Sequence, residues 1–299
     1  MYQEITIDPA CMAEFEYYTL LKTSFGFEKG RYLTVSIREW VVQAVKAIKA
    51  SNMPPIKQKS VKNFLNQLQR DKRNSYALLS FERRNIAKED VGNWLSWQQK
   101  QEIEKPFSAV VSDTALENSI NHMDILDDHE KWRLSPTIQT KKTPEEIYQV
   151  LKPIVEISRV LTIVDPYFSL ANNGVLLKLI AESQNNLALK SLKLVTAINT
   201  VNPEKVFERE YLSEFNNVPS FELIVVEYSN QFHYRYSFSE SAGIKAGHGF
   251  SEATEKGAQS DLLSFNLVGT NEINNISEWI SRLIASGNAE HKILHNRDV

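Results

Sequence analysis

The sequence predicts an α/β protein in two parts, and three observations predict it. From residue 143 to 299, short Val- and Ile-rich runs alternate with amphipathic stretches, the rhythm of an α/β sandwich with a central mixed sheet. Residues 1–120 mix strand and helix periods with helices dominant, which predicts a mixed, mostly helical accessory domain. Residues 121–142, "NHMDILDDHEKWRLSPTIQTKK", are acidic and then basic with no steady period, and read as a surface connector. A chain of 299 residues that is 42% hydrophobic has the material for one large or two ordinary cores.

The elements follow in order. Residues 1–9 alternate apolar and polar and predict a strand. "REWVVQAVKAIKA" places Val41, Ala44, Val45 and Ile48 at helical spacing, and "MPP" at 53–55 stops that helix. Val61, Phe64, Leu65 and Leu68 recur at i, i+3, i+4 and i+7, so a second helix follows. "SYALLSFERR" reads as a strand, "EDVGNWLSWQQKQEIEK" as a helix with Trp94 and Trp97 in the core, and "FSAVVSD" as a strand. "TPEE" at 143–146 is a helix start: Thr143 caps, Pro144 takes the first helical position, and Glu146 follows three residues after the cap. Beyond it come strand 159–168, helix 174–183, strand 192–198, helix 202–215 capped by Asn202, and strand 221–228. "FHYRYSFSE" and "GIKAGHGF" predict a strand pair joined at Ser241–Gly243. Strand 261–269 and a last helix, 272–286, with Ile276, Trp279, Ile280 and Leu283 on one face, complete the pattern.

Composition narrows the function. Charged residues make up 24% of the chain and the net charge is −3, so attraction of the whole molecule to nucleic acid is not implied, although a local patch is open. Cys11 is the single cysteine, which excludes an internal disulfide and a cysteine metal cluster and predicts a reducing, cytoplasmic setting. No apolar h-region opens the chain and no run reaches the roughly 18 apolar residues of a membrane span.

The stretch 232–250 carries the chemical signal. His233, Arg235, Glu240, Gly247, Gly249 and Phe250 stand in the spacing H-x-R-x4-E-x6-G-x-G-F, with His233 and Arg235 on one strand face. This spacing resembles the H-x-K-x4-D motif of the phospholipase D superfamily, and the resemblance covers roughly 150–285. It implies a PLD-like α/β domain, a histidine that attacks phosphorus, a basic residue that holds phosphate charge, an acid that orients the imidazole, and no metal or other cofactor. His233 would then be nucleophile or acid, Arg235 the phosphate clamp and Glu240 the orienter, with Gly247, His248 and Gly249 as the phosphate-binding rim. The sequence departs from the family pattern by Arg for Lys, Glu for Asp and His248 for Ser, and it carries one copy of the motif. One copy implies a homodimer with two His233 side chains face to face, or a lost activity.

Outside that stretch, residues 57–84 concentrate Lys57, Lys59, Lys62, Arg70, Lys72, Arg73, Arg83 and Arg84 against Asp71 and Glu82. Lys62, Arg70, Lys72 and Arg73 are the candidate nucleic-acid contacts, and a solvated helix face is the plain alternative. Asp165, before Pro166, reads as a turn cap, and His122, Asp124, Asp127, Asp128 and His129 as an acidic loop rather than a metal site. Two main expectations therefore stand. One is a metal-independent, homodimeric PLD-like nuclease of an anti-phage or mobile-element system. The other is a catalytically degenerate subunit that binds nucleic acid or protein in a larger complex. Docking to a phosphoinositide membrane is a distant third, and nothing in the composition favours membrane contact.

Overall fold

The computed structural model describes residues 1–70, 76–86, 93–114, 116, 118–184, 189–232, 234–240, 242–252 and 261–297. The chain divides into two compact units, Tyr2–Ser135 and Pro136–Val299.

The first unit is built on four parallel strands: β1 (Gln3–Ile7), β2 (Arg31–Leu33), β3 (Ala109–Val111) and β4 (Ser119–Ile120), in the order β2-β1-β3-β4. Parallel neighbours need crossovers, and the helices supply them. Helix α1 (Phe15–Ser24) links β1 to β2; α2 (Ile37–Ala50), α3 (Pro55–Arg70), α4 (Phe81–Ile86) and α5 (Trp94–Glu104) lead from β2 to β3; and α6 (His122–Leu126) follows β4. Helix α2 buries Trp40, Val41, Ala44 and Ile48, and α3 buries Val61, Phe64, Leu65 and Leu68. Each set is one stripe of a 3.6-residue repeat, so the residues that make the helices amphipathic also build the core. Trp40 Nε1 donates to the Ile7 carbonyl at 2.6 Å, which satisfies its polar atom inside that core.

Helices make up most of this unit, and the four-stranded parallel sheet they surround is what the sequence reading did not assemble. Strands β2 and β4, absent from the sequence reading, are three and two residues long, too short for a period to show. "SYALLSFERR" is not a strand either. Ala77 makes a single bridge to Leu33 and α4 begins at Phe81. The reason lies in Arg83, whose side chain is fully buried. Its guanidinium pairs with Glu4 at 2.7 Å, donates to Gln101 Oε1 and to the carbonyls of Lys105 and Pro106, and lies over the Phe107 ring. Residues 121–142 also carry structure. Asn121 and Asp124 form a capping box on α6, and Trp132 is buried against Phe25 and the Arg31 guanidinium.

The second unit has eight strands: β5 (Thr137–Lys141), β6 (Val160–Val164), β7 (Ser191–Thr196), β8 (Ser220–Val226), β9 (Arg235–Phe238), β10 (Gly243–Ala246), β11 (Leu262–Leu267) and β12 (Ala289–His295). Their order is β12-β8-β7-β6-β9-β10-β11-β5. Strands β6, β7 and β8 are parallel, joined through α8 (Gly174–Ser183) and α9 (Pro203–Phe207), and every other pairing is antiparallel. Helix α7 (Pro144–Ile157) starts at Thr143, whose side chain accepts from the Glu146 N–H, and α10 (Thr270–Ala285) buries Ile273, Ile276, Ile280 and Leu283. Gly243 in β10 has no side chain because Ile273 of α10 occupies the space a Cβ would need.

The PLD-like sandwich is therefore corrected. Both sheets are open, with edges at β2 and β4 in one unit and at β12 and β5 in the other. The edge strand β5 lies in the segment read as a connector, and β12 lies beyond the last element the sequence predicts. Edge strands are half-exposed and lack the apolar run that marks a buried strand.

Candidate nucleic-acid interface

The H-x-R-x4-E stretch lies along β9 and its hairpin partner β10. Arg235 pairs with Ala246 at one end of the hairpin, and Phe238 pairs with Gly243 at the other. Gly247 and Gly249 therefore lie near Arg235, while Glu240 lies beyond the opposite end, five residues or about 16 Å along the chain. The Glu240 carboxylate accepts from the Arg159 backbone N–H at 2.9 Å, where β6 begins. It holds a strand start, far from the Arg235 end.

At that end Arg235 is already engaged. Its Nη1 donates to the Gly247 carbonyl at 2.8 Å, its Nε stands 3.9 Å from Asp165 Oδ1, and its guanidinium lies over the Tyr167 ring. Asp165 is 1% exposed, and its carboxylate accepts from the N–H groups of Tyr167 at 2.9 Å and Phe250 at 2.7 Å. Burial raises the Asp165 pKa above its ordinary value, against the opposing pull of those N–H groups and of Arg235. Gly249 has φ +92°, and a Cβ there would run into the same carboxylate. The Arg235 Nη1 bond to the Gly247 carbonyl and the Asp165 bond from Phe250 N–H fix the 247–250 turn onto the sheet, while Arg235 Nε is buried without a hydrogen-bond partner among the described residues. Gly247 and His248 sit exposed on that turn. His233 lies outside the described residues.

The phospholipase D resemblance does not hold. No family model matches the chain, no curated protein matches it, and the motif's basic and acidic members stand at opposite ends of a strand. Among solved structures, an archaeal chromatin protein, TrmBL2, described as showing a novel mode of DNA binding, aligns over 93% of each chain with 11% identity and a TM-score of 0.31. A superposition at that level defines no common fold. The reading as a nuclease, with the homodimer and the anti-phage setting attached to it, falls with the motif. Among the described residues no group of three or more His, Cys, Asp and Glu side chains could hold a metal ion. The residues of the acidic stretch serve the local fold instead: Asp124 accepts from Asn121 N–H, His129 Nδ1 from Lys131 N–H, and Asp128 pairs with Arg133. Among the described residues, no helix is long and apolar enough to cross a membrane.

The basic candidates sort differently. Arg83 is spent in the core, and Arg84 stays exposed with its Nε donating to the Leu79 carbonyl. Lys62 is half-buried, with Nζ 2.9 Å from Gln58 Oε1 on the turn before it. Arg70 ends α3 exposed. Lys72 and Arg73 lie outside the described residues. Opposite the buried stripe of α3, Lys59, Asn63, Asn66 and Arg70 form an exposed row at i, i+4, i+7 and i+11, flanked by Gln67. Helix α3 contains no acidic residue. With α2 and the turn between them, residues 37–70 carry seven basic side chains against the single acid Glu39, in a chain whose net charge is −3. Arg38, Lys46 and Lys49 of α2 are exposed as well. The signal that would have found this row is the absence of acids from one predicted helix face, which a count of basic residues over 57–84 blurs.

Proposed function

We propose that this chain is a nucleic-acid-binding module that presents the outward face of α3 to its target. The observation that carries the reading is the acid-free row Lys59, Asn63, Asn66 and Arg70, set against the acidic balance of the rest of the chain. Lys59 and Arg70 would neutralise phosphates and release counterions. Asn63, Asn66 and Gln67 carry amides that both donate and accept, the side-chain chemistry that contacts sugar–phosphate and base edges. An α-helix fits the roughly 12 Å width of a B-DNA major groove. In the sequence Lys72 and Arg73 follow Arg70 across one acid, Asp71, and Lys62 flanks the row.

The test is duplex-DNA binding by fluorescence anisotropy from 50 to 200 mM salt, on the order of the range over which phosphate contacts lose affinity. The full-length chain should bind with a log–log salt slope that becomes shallower by about 2 in Lys59→Glu with Arg70→Glu, near 0.9 per phosphate contact. A Lys152→Glu control on α7 should leave the slope unchanged. Binding that ignores salt, or a double variant indistinguishable from the parent chain, would sink the reading.

A further inference from the structure

The opposite face of β9 carries different chemistry. Arg235 and Ser237 point to one side of the sheet, while Tyr234, Tyr236 and Phe238 alternate to the other, toward α10. Between β9, the segment before it and α10 lies a cavity of about 390 Å³, within the roughly 300–1,000 Å³ span of small-ligand sites. Phe232, Tyr234, Tyr236 and Trp279 supply its walls. The Phe232 and Trp279 rings meet at 72° with centroids 5.4 Å apart, and Tyr234 and Tyr236 at 76° and 6.2 Å. The π faces are therefore held edge-to-face, and Trp279 and Phe232 are only half-buried.

Three polar features select the occupant. Gln231 Oε1 is buried at the cavity wall with no hydrogen-bond partner among the described residues, an acceptor that lacks a donor. The Glu272 carboxylate accepts from Tyr236 OH at 2.8 Å and stands 3.5 Å from Lys245 Nζ, yet keeps 36% exposure at the cavity. Arg282 places an exposed guanidinium at the rim. A hydrocarbon would leave Gln231 Oε1 unsatisfied. An organic cation suits the rings and Glu272 but meets Lys245 and Arg282. A bare anion gains nothing from the rings and faces Glu272.

We propose that this cavity is a nucleotide site: the base stacks on the aromatic walls, its edge donates to Gln231 Oε1 and Glu272, and the phosphate pairs with Arg282. Guanine fits best, because its adjacent N1–H and N2–H donors match one carboxylate. The site does not rest on the α3 reading and uses none of its residues.

Isothermal titration of the full chain with GMP, guanosine, AMP and choline tests it. GMP should bind more tightly than AMP. Trp279→Ala should weaken GMP about tenfold, as loss of base–aromatic stacking does. Glu272→Gln should remove the preference for guanine over adenine. Arg282→Ala, on an exposed helix position where folding is not at risk, should bring GMP down to the affinity of guanosine. Lys59→Glu with Arg70→Glu should leave GMP binding intact, which separates this site from the α3 face. Choline bound more tightly than GMP, no heat from GMP at millimolar concentration, or GMP binding indifferent to both Trp279→Ala and Arg282→Ala overturns the proposal.

Discussion

Arg83 and Arg235 on one side, and Lys59 and Arg70 on the other, are the same chemistry in two settings. Arg83 is fully buried, with Glu4, Gln101 and two backbone carbonyls around it and an aromatic ring beneath it. Arg235 is held by a carbonyl, a carboxylate and a tyrosine face. Lys59 and Arg70 stand exposed on a helix that has no acid of its own. A cation whose charge is matched inside the protein holds the fold, and one left unmatched at the surface is available to an outside phosphate. Proximity in sequence is a poor guide to which is which: Arg83 lies thirteen residues from Arg70 and belongs to the other class.

The comparison can be broken in graded ways. Arg83→Met should have the largest effect, lowering unfolding free energy by about 3–5 kcal/mol in denaturant titrations, because removing one partner of a buried pair strands the others. If its cost is below about 1 kcal/mol, Arg83 is not the anchor described here. Gly249→Ala should follow at about 1–3 kcal/mol, from the positive φ and the clash with Asp165. The Asp165 carboxyl should titrate above 3.8 when followed by carbon-13 NMR. Its folded pKa is raised, so its contribution to stability is fully present below the unfolded value and is lost as pH rises through the folded value. A midpoint at or below 3.8 would contradict its burial. Glu240→Gln should have the smallest effect, within about 0.5 kcal/mol, since an amide oxygen can still accept from Arg159. A collapse of the C-terminal unit in that variant would place Glu240 in a role the geometry does not give it.

The motif at 233–250 shows how spacing misleads. The register H-x-R-x4-E fixes where residues fall along a chain, and in a flat strand it spreads them. Arg235 and Glu240 converge only if the chain folds back midway between them, and here Glu240 sits in the hairpin turn itself, at the end far from Arg235. The aromatic alternation Phe232, Tyr234, Tyr236, Phe238 was present in the same stretch and pointed to the opposite face, where the cavity lies.

What the sequence determined by itself is the local periodicity. The apolar stripes of α2, α3 and α10, the Thr143 cap and the alternating strands and helices after 143 all arise from interactions within about one or two helical turns or along one strand, so neighbouring residues dictate them. The tertiary structure alone decided which strands are neighbours, that β5 and β12 form the open edges of the second sheet, that Arg83 is internal, and that Gln231 meets α10 across a cavity. Those outcomes depend on contacts between residues tens of positions apart, whose burial and charge compensation are set by packing and leave no period in the chain.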